Sequence, residues 1–227
     1  MKSASSLLKT TAIVSGISLI AQLSANPANA FSLTSTPYTS GIVTTVPGAS
    51  TINFSGGAPT SGPVTFTNAT VVSGSVPGVY ANPPGNTSPF LAVGPSPNTS
   101  PVTVKFSSPA DYFGLYWGSV DAFNLVAFFK AGTLVATYSG ADVSTGVPNG
   151  DQGAAATNRY VNIFAGPGES FDQVVLSSSA QAFENTNLGY RFVSSVPEPS
   201  SMLGTFAVVA LGAGYQIKRQ LKKQTAR

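Results

Sequence analysis

From residue 100 onward, apolar and polar side chains alternate in short runs separated by turn residues. Val102-Thr103-Val104-Lys105-Phe106 alternates strictly, which predicts a strand with Val102, Val104 and Phe106 facing in and Thr103 and Lys105 facing out. Phe123 to Phe129 is strongly apolar and predicts a strand covered on both faces. Ala131-Gly132 suits a two-residue hairpin turn into a strand over Leu134–Tyr138. Tyr160 to Phe164, Phe171 to Leu176 and Leu188 to Val193 read as three more strands. Gly140 to Asn158 is polar and long, and is expected to be a surface loop.

The first half is less regular. Gly41 to Val46, Thr51 to Phe54, Val64 to Thr67, Thr70 to Val72 and Phe90 to Val93 are short β-branched or apolar runs between Gly, Ser and Pro. Pro83, Pro84, Pro89, Pro95 and Pro97 force loop or edge structure over much of 82–98, because proline lacks the N–H a ladder needs. Helical periodicity is confined to the two ends of the chain. The pattern predicts an all-β fold: a single antiparallel β-sandwich, jelly-roll-like, over residues 31–195. The alternative is a Ser/Thr/Pro-rich stalk up to about residue 100 carrying a smaller β-domain.

The two ends carry targeting patterns. Lys2 and Lys9 mark a basic n-region, Thr11 to Leu23 an apolar stretch, and Ala28-Asn29-Ala30 places small side chains at −3 and −1 of a signal peptidase site. Cleavage after Ala30 is expected, so 1–30 reads as a signal peptide. At the other end Val196-Pro197-Glu198-Pro199 precedes the apolar run Met202 to Ile217 and a basic end with Lys218, Arg219, Lys222 and Lys223. At 1.5 Å per residue the run 202–217 gives roughly 24 Å of transmembrane helix, which flanking lysines extend by snorkelling to the interface. The basic end is expected in the cytoplasm and the domain outside.

This three-part tail over 196–227 resembles the PEP-CTERM sorting domain. The resemblance implies recognition by the membrane enzyme exosortase, cleavage near the Pro-Glu-Pro, and display at the cell surface or in an exopolysaccharide matrix. The second half also resembles the β-sandwich ectodomain of exosortase-dependent proteins, through Tyr116-Trp117-Gly118, Val161-Asn162 and Phe183-Glu184-Asn185. Thr186 stands where that family has an acidic residue.

Charge and composition narrow the chemistry. The net charge of +3 comes from the ends; residues 31–195 hold four basic against seven acidic residues, a net of −3. No basic patch with interleaved aromatics exists there, so no nucleic-acid partner is expected. With no Cys and no His, thiol nucleophiles, Ser-His-Asp triads and ordinary zinc sites are excluded.

Three chemistries remain. Tyr112, Tyr116 and Trp117 could stack on a sugar with Asp121, Asn124, Glu184 and Asn185 bonding its hydroxyls, although a sole tryptophan more often fills a core. Asp111, Asp121, Asp142, Asp151 and Glu184 are candidate ligands for a structural calcium, without a spaced loop motif. Asp121 and Glu184 are the carboxylate pair that a small polysaccharide hydrolase would use. The overall expectation is an exported, exosortase-processed, non-enzymatic protein with a structural or adhesive role. Its expected partners are signal peptidase, exosortase, membrane lipid and exopolysaccharide; the alternatives are the hydrolase and a permanently anchored single-pass envelope protein.

Overall fold

The computed structural model describes residues 31–194. They form an all-β fold in which every strand pairing is antiparallel. The strands are β1 Ser32–Pro37, β2 Ser50–Ile52, β3 Val64–Thr67, β4 Val71–Val72, β5 Phe90–Val93, β6 Val102–Gly118, β7 Asn124–Lys130, β8 Thr133–Ser139, β9 Arg159–Phe164, β10 Phe171–Ser178 and β11 Phe183–Phe192. The one α-helical turn among the described residues, α1, is Gly140–Val143.

β6 organises the fold. Over Val102–Phe106 it pairs with β3 and β10. Over Tyr112–Trp117 it pairs instead with β9 and β11. The change of partners falls at Ser107-Ser108-Pro109, three exposed residues whose proline cannot donate to a ladder. Register shifts opposite this point, between Phe171 and Gln173 and between Arg191 and Phe192, absorb the bend.

Two strand groups result: β3-β6-β10-β7-β8, and β1-β9-β6-β11 with β2, β5 and β4 beyond. Inward side chains from both meet in one core. Phe113 lies edge-on to Phe106 (6.3 Å between ring centres) and to Phe128 (5.9 Å), and Phe128 to Phe171 at 5.0 Å. Each such ring contributes roughly 1.5–3 kcal/mol through burial. Trp117 stacks on Phe183 at 4.3 Å and is also fully enclosed.

The strands expected after residue 100 are present within a few residues. Ala131-Gly132 forms the expected two-residue turn, both residues at positive φ (49° and 79°) as a type I′ hairpin requires. Asp172 Oδ2 accepts the Ala131 N–H at 2.8 Å and pins that turn.

Four expectations are corrected. The Phe123–Phe129 run is not covered on both faces: its burial alternates, leaving Leu125 39% exposed. Gly140–Asn158 is not simply a surface loop, since it carries α1 and buries Val143, Thr157 and Asn158. Gly41–Val46 forms no strand, whereas Ser32–Pro37 does, pairing with β9. Finally, β1 pairs with β9, β2 and β5 with β11, β3 with β6 and β4 with β5, and this half buries Phe54, Val64, Phe66 and Phe90, so it is packed domain and not the stalk of the alternative reading.

Candidate functional site

Sorting and processing residues lie outside the described chain. These are Ala28 and Ala30, Val196, Pro197, Glu198 and Pro199, the helix expected over 202–217, and Lys218, Arg219, Lys222 and Lys223.

The candidate ligand residues are inside, but they are not arranged as a binding surface. Tyr112, Tyr116 and Trp117 have no exposed surface. The period of two puts Phe113, Leu115 and Trp117 into the core, and Tyr112, Gly114 and Tyr116 on the opposite face of the same strand. That second face is covered by segments from the first half. Tyr116 donates to the Pro84 carbonyl at 2.7 Å, and a Cβ at Gly118 would lie 2.8 Å from Pro83. Tyr112 OH meets Thr44 Oγ1 at 2.7 Å, and Asn187 Nδ2 donates to the Ile42 carbonyl at 2.9 Å. The Pro-rich and β-branched stretches that make no ladder are thus held by side chains of β6 and β11. This aromatic cluster offers no ring face to a sugar, which corrects that expectation.

Glu184 is the centre of the covered face. It is only 2% exposed; Oε1 accepts the Ala81 N–H at 2.8 Å and Oε2 accepts the Ser119 hydroxyl at 2.9 Å. Burial pushes its carboxyl up to about 7, and the nearby Asp121 charge adds to the rise. Beside it opens a cleft of about 410 Å³ lined by Ser75–Ala81, Gln152, Gln181 and Ala182. Gln181 is already engaged, donating to the Pro95 and Ser96 carbonyls and accepting from Asn98.

Asp121 does not line that cleft. Its carboxylate packs against Gly150, where a Cβ would come within 2.8 Å of both oxygens, and burial raises it to about 6. The two acids singled out for hydrolysis therefore do not face each other across the cleft. Asn124 Oδ1 accepts from Ser178 Oγ at 2.8 Å, and Asn185 is buried beside Phe183. Trp117 Nε1, Asn124 Nδ2 and Asn185 Oδ1 are buried without a partner.

The candidate calcium ligands are dispersed. Asp111 pairs with Arg191 at 2.8 Å, Asp142 caps α1 through the Ser139 N–H and hydroxyl, and Asp151 Oδ1 accepts the Gly153 and Ala154 N–H groups. Among the described residues, no three Asp or Glu side chains come together as a metal site.

Two residues escaped the sequence reading. Asn158 is fully buried, accepting the Ser119 N–H and donating to the Asp151 and Ala154 carbonyls. Arg159, only 6% exposed, donates to Ser35, Thr145 and Ala155 and joins β1 to the 144–158 segment. No spacing or motif marks either, because the bonds of Asn158 to the Ser119 N–H and of Arg159 to Ser35 span 39 and 124 residues of chain.

Comparison with family models, with curated proteins and with solved structures finds no match to this chain.

Proposed function

We propose that this chain is an exported, non-catalytic display module: a two-layer, jelly-roll-like β-sandwich with a structural or adhesive role at the cell surface or in an extracellular matrix. The tail would deliver the domain, and exosortase would cut near Val196-Pro197-Glu198-Pro199. The observation that carries the reading is how the acids of residues 31–194 are used. Asp111, Asp142, Asp151, Asp172 and Glu184 each hold a backbone N–H, a hydroxyl or an arginine of the scaffold. Carboxylates committed to turns and loops suit a rigid domain whose work is to be presented.

The test is the intact mass of the protein recovered from the surface of producing cells. A species beginning at Phe31 and ending near Val196 supports the reading, and Glu198→Ala should then retain the tail. A species that keeps Met202 to Arg227 means a permanently anchored envelope protein instead. A species that keeps residues 1–30 and stays in the cytoplasm rejects export altogether.

A further inference from the structure

The outward faces of the two strand groups differ. On the β9-β6-β11 side, loop segments cover the face and its tyrosine, asparagine and glutamate side chains are bonded to them. Among the described residues, no loop segment is laid over the outward face of β3-β6-β10-β7-β8, whose side chains are exposed or half-buried. Cross-strand register lays its side chains in three rows. The first is Thr65–Lys105–Gln173–Phe129–Leu134. The second is Thr67–Thr103–Val175–Ala127–Thr137. The third is Ser177–Leu125–Ser139.

All of these residues are exposed or half-buried, with Leu134 55% and Leu125 39% accessible. Lys105 is the sole charge among them. The side chains of Thr65, Thr67, Thr103, Thr137, Gln173 and Ser177 make no hydrogen bond to another part of the described chain. Neighbouring strands stand about 4.8 Å apart and same-face residues about 6.6 Å apart along a strand. Apart from Ser139, whose hydroxyl donates to Asp142 at the edge of the third row, the face is a grid of unengaged hydroxyls and one amide, crossed by an apolar band of Leu125, Phe129 and Leu134.

From this grid we infer that the outward face of β3-β6-β10-β7-β8 binds a neutral polysaccharide laid across the sheet. The inference rests on the display reading for its biological setting and on the face itself for its chemistry. Hydroxyls and an amide both donate and accept, matching a sugar's hydroxyls. The half-buried Phe129 ring and its leucine neighbours match the apolar faces of pyranose rings. A single exposed lysine over three rows is too little charge to hold an anionic chain against salt, and an open sheet suits an extended or insoluble polymer better than a free monosaccharide, which needs an enclosing pocket.

The experiment uses the detergent-solubilised full chain, incubated with insoluble cellulose, chitin and β-1,3-glucan and, separately, with the anionic polymer alginate. Retention is expected on at least one neutral polymer and not on alginate. Phe129→Ser, and separately Thr103→Glu combined with Thr137→Glu, should each lower retention at least tenfold, with circular dichroism and melting temperature close to the parent's. The paired glutamates serve as the second variant should Phe129→Ser lose its fold. No retention on any of the three, equal retention on alginate, or retention unchanged in folded face variants overturns the inference. So does light scattering that shows a dimer which Thr137→Glu dissociates, because the face would then be occupied by a second copy. Binding is read on purified protein, so its failure is separable from a failure of export, which the surface mass reports.

Discussion

The Glu184 carboxylate holds the backbone N–H of Ala81 at 2.8 Å across 103 residues of chain. This contact joins the last strand to the Pro-rich first half, and Ser119 bonds the other oxygen at 2.9 Å.

Stability should respond to pH through this acid. Its folded pKa, about 7, lies above its ordinary 4.5, so from pH 4.5 to 7 the folded state keeps a proton that the unfolded state has released. Stability conferred by that proton is complete below about pH 4.5, falls as pH rises, and levels off above 7. A loss of roughly 1–3 kcal/mol is expected over this window. Asp121, raised from 3.8 to about 6, contributes a fall of the same sign at the lower end. Glu184→Gln should therefore shrink the slope in urea titrations most between pH 6 and 7, and a parent whose stability rises through the window would contradict the assignment.

Glu184→Ala should leave the Ala81 N–H and the Ser119 hydroxyl buried without a partner. A cost of roughly 2–4 kcal/mol is expected. Hydrogen exchange should speed up at Ala81 and its neighbours while β7 and β10 remain protected.

Trp117 is the sole tryptophan, fully buried against Phe183. Its emission should lie at the short-wavelength end, and saturating soluble neutral sugars should leave it unshifted. Trp117→Ala should cost roughly 3–5 kcal/mol by chemical denaturation, because the cavity it leaves cannot collapse fully. An emission shift with sugar would place that ring in a binding site after all.

Gly140 opens α1, where a Cβ would fall 2.0 Å from the Asp121 carbonyl oxygen. Gly140→Ala must displace backbone, and a loss of about 1–3 kcal/mol is expected. Gly132→Ala tests a different cause: a Cβ there meets nothing within 4 Å, so any loss reflects only the positive φ of 79°. The first substitution should be the more damaging of the two in the same denaturation assay.

Arg159→Lys keeps the charge and loses the planar fork that reaches Ser35, Thr145 and Ala155. A loss of roughly 1–3 kcal/mol is expected, with limited proteolysis cutting first within 144–158.

Strands after residue 100 were legible because alternation with a period of two is local, as in Val102–Phe106, and because Ala131-Gly132 marks its own turn. The half of β6 beyond Pro109 was not legible as a strand. Both of its faces carry large apolar or aromatic side chains, so neighbouring residues alone could not tell a sugar-stacking cluster from core for Tyr112, Tyr116 and Trp117, which point to opposite sides and are all buried. For the acids, composition told how few there are, yet not that most of them hold loops.

By itself the sequence determined the all-β class, the hairpin and the places where proline forbids a ladder, since each depends on neighbouring residues alone. Only the tertiary structure decided which outward face is covered and which is left bare. That depends on contacts such as Ala81 to Glu184 and Thr44 to Tyr112, between residues far apart in the chain. A face's chemistry can be read from alternate residues, but its exposure is set by whatever distant segment finds hydrogen bonds there.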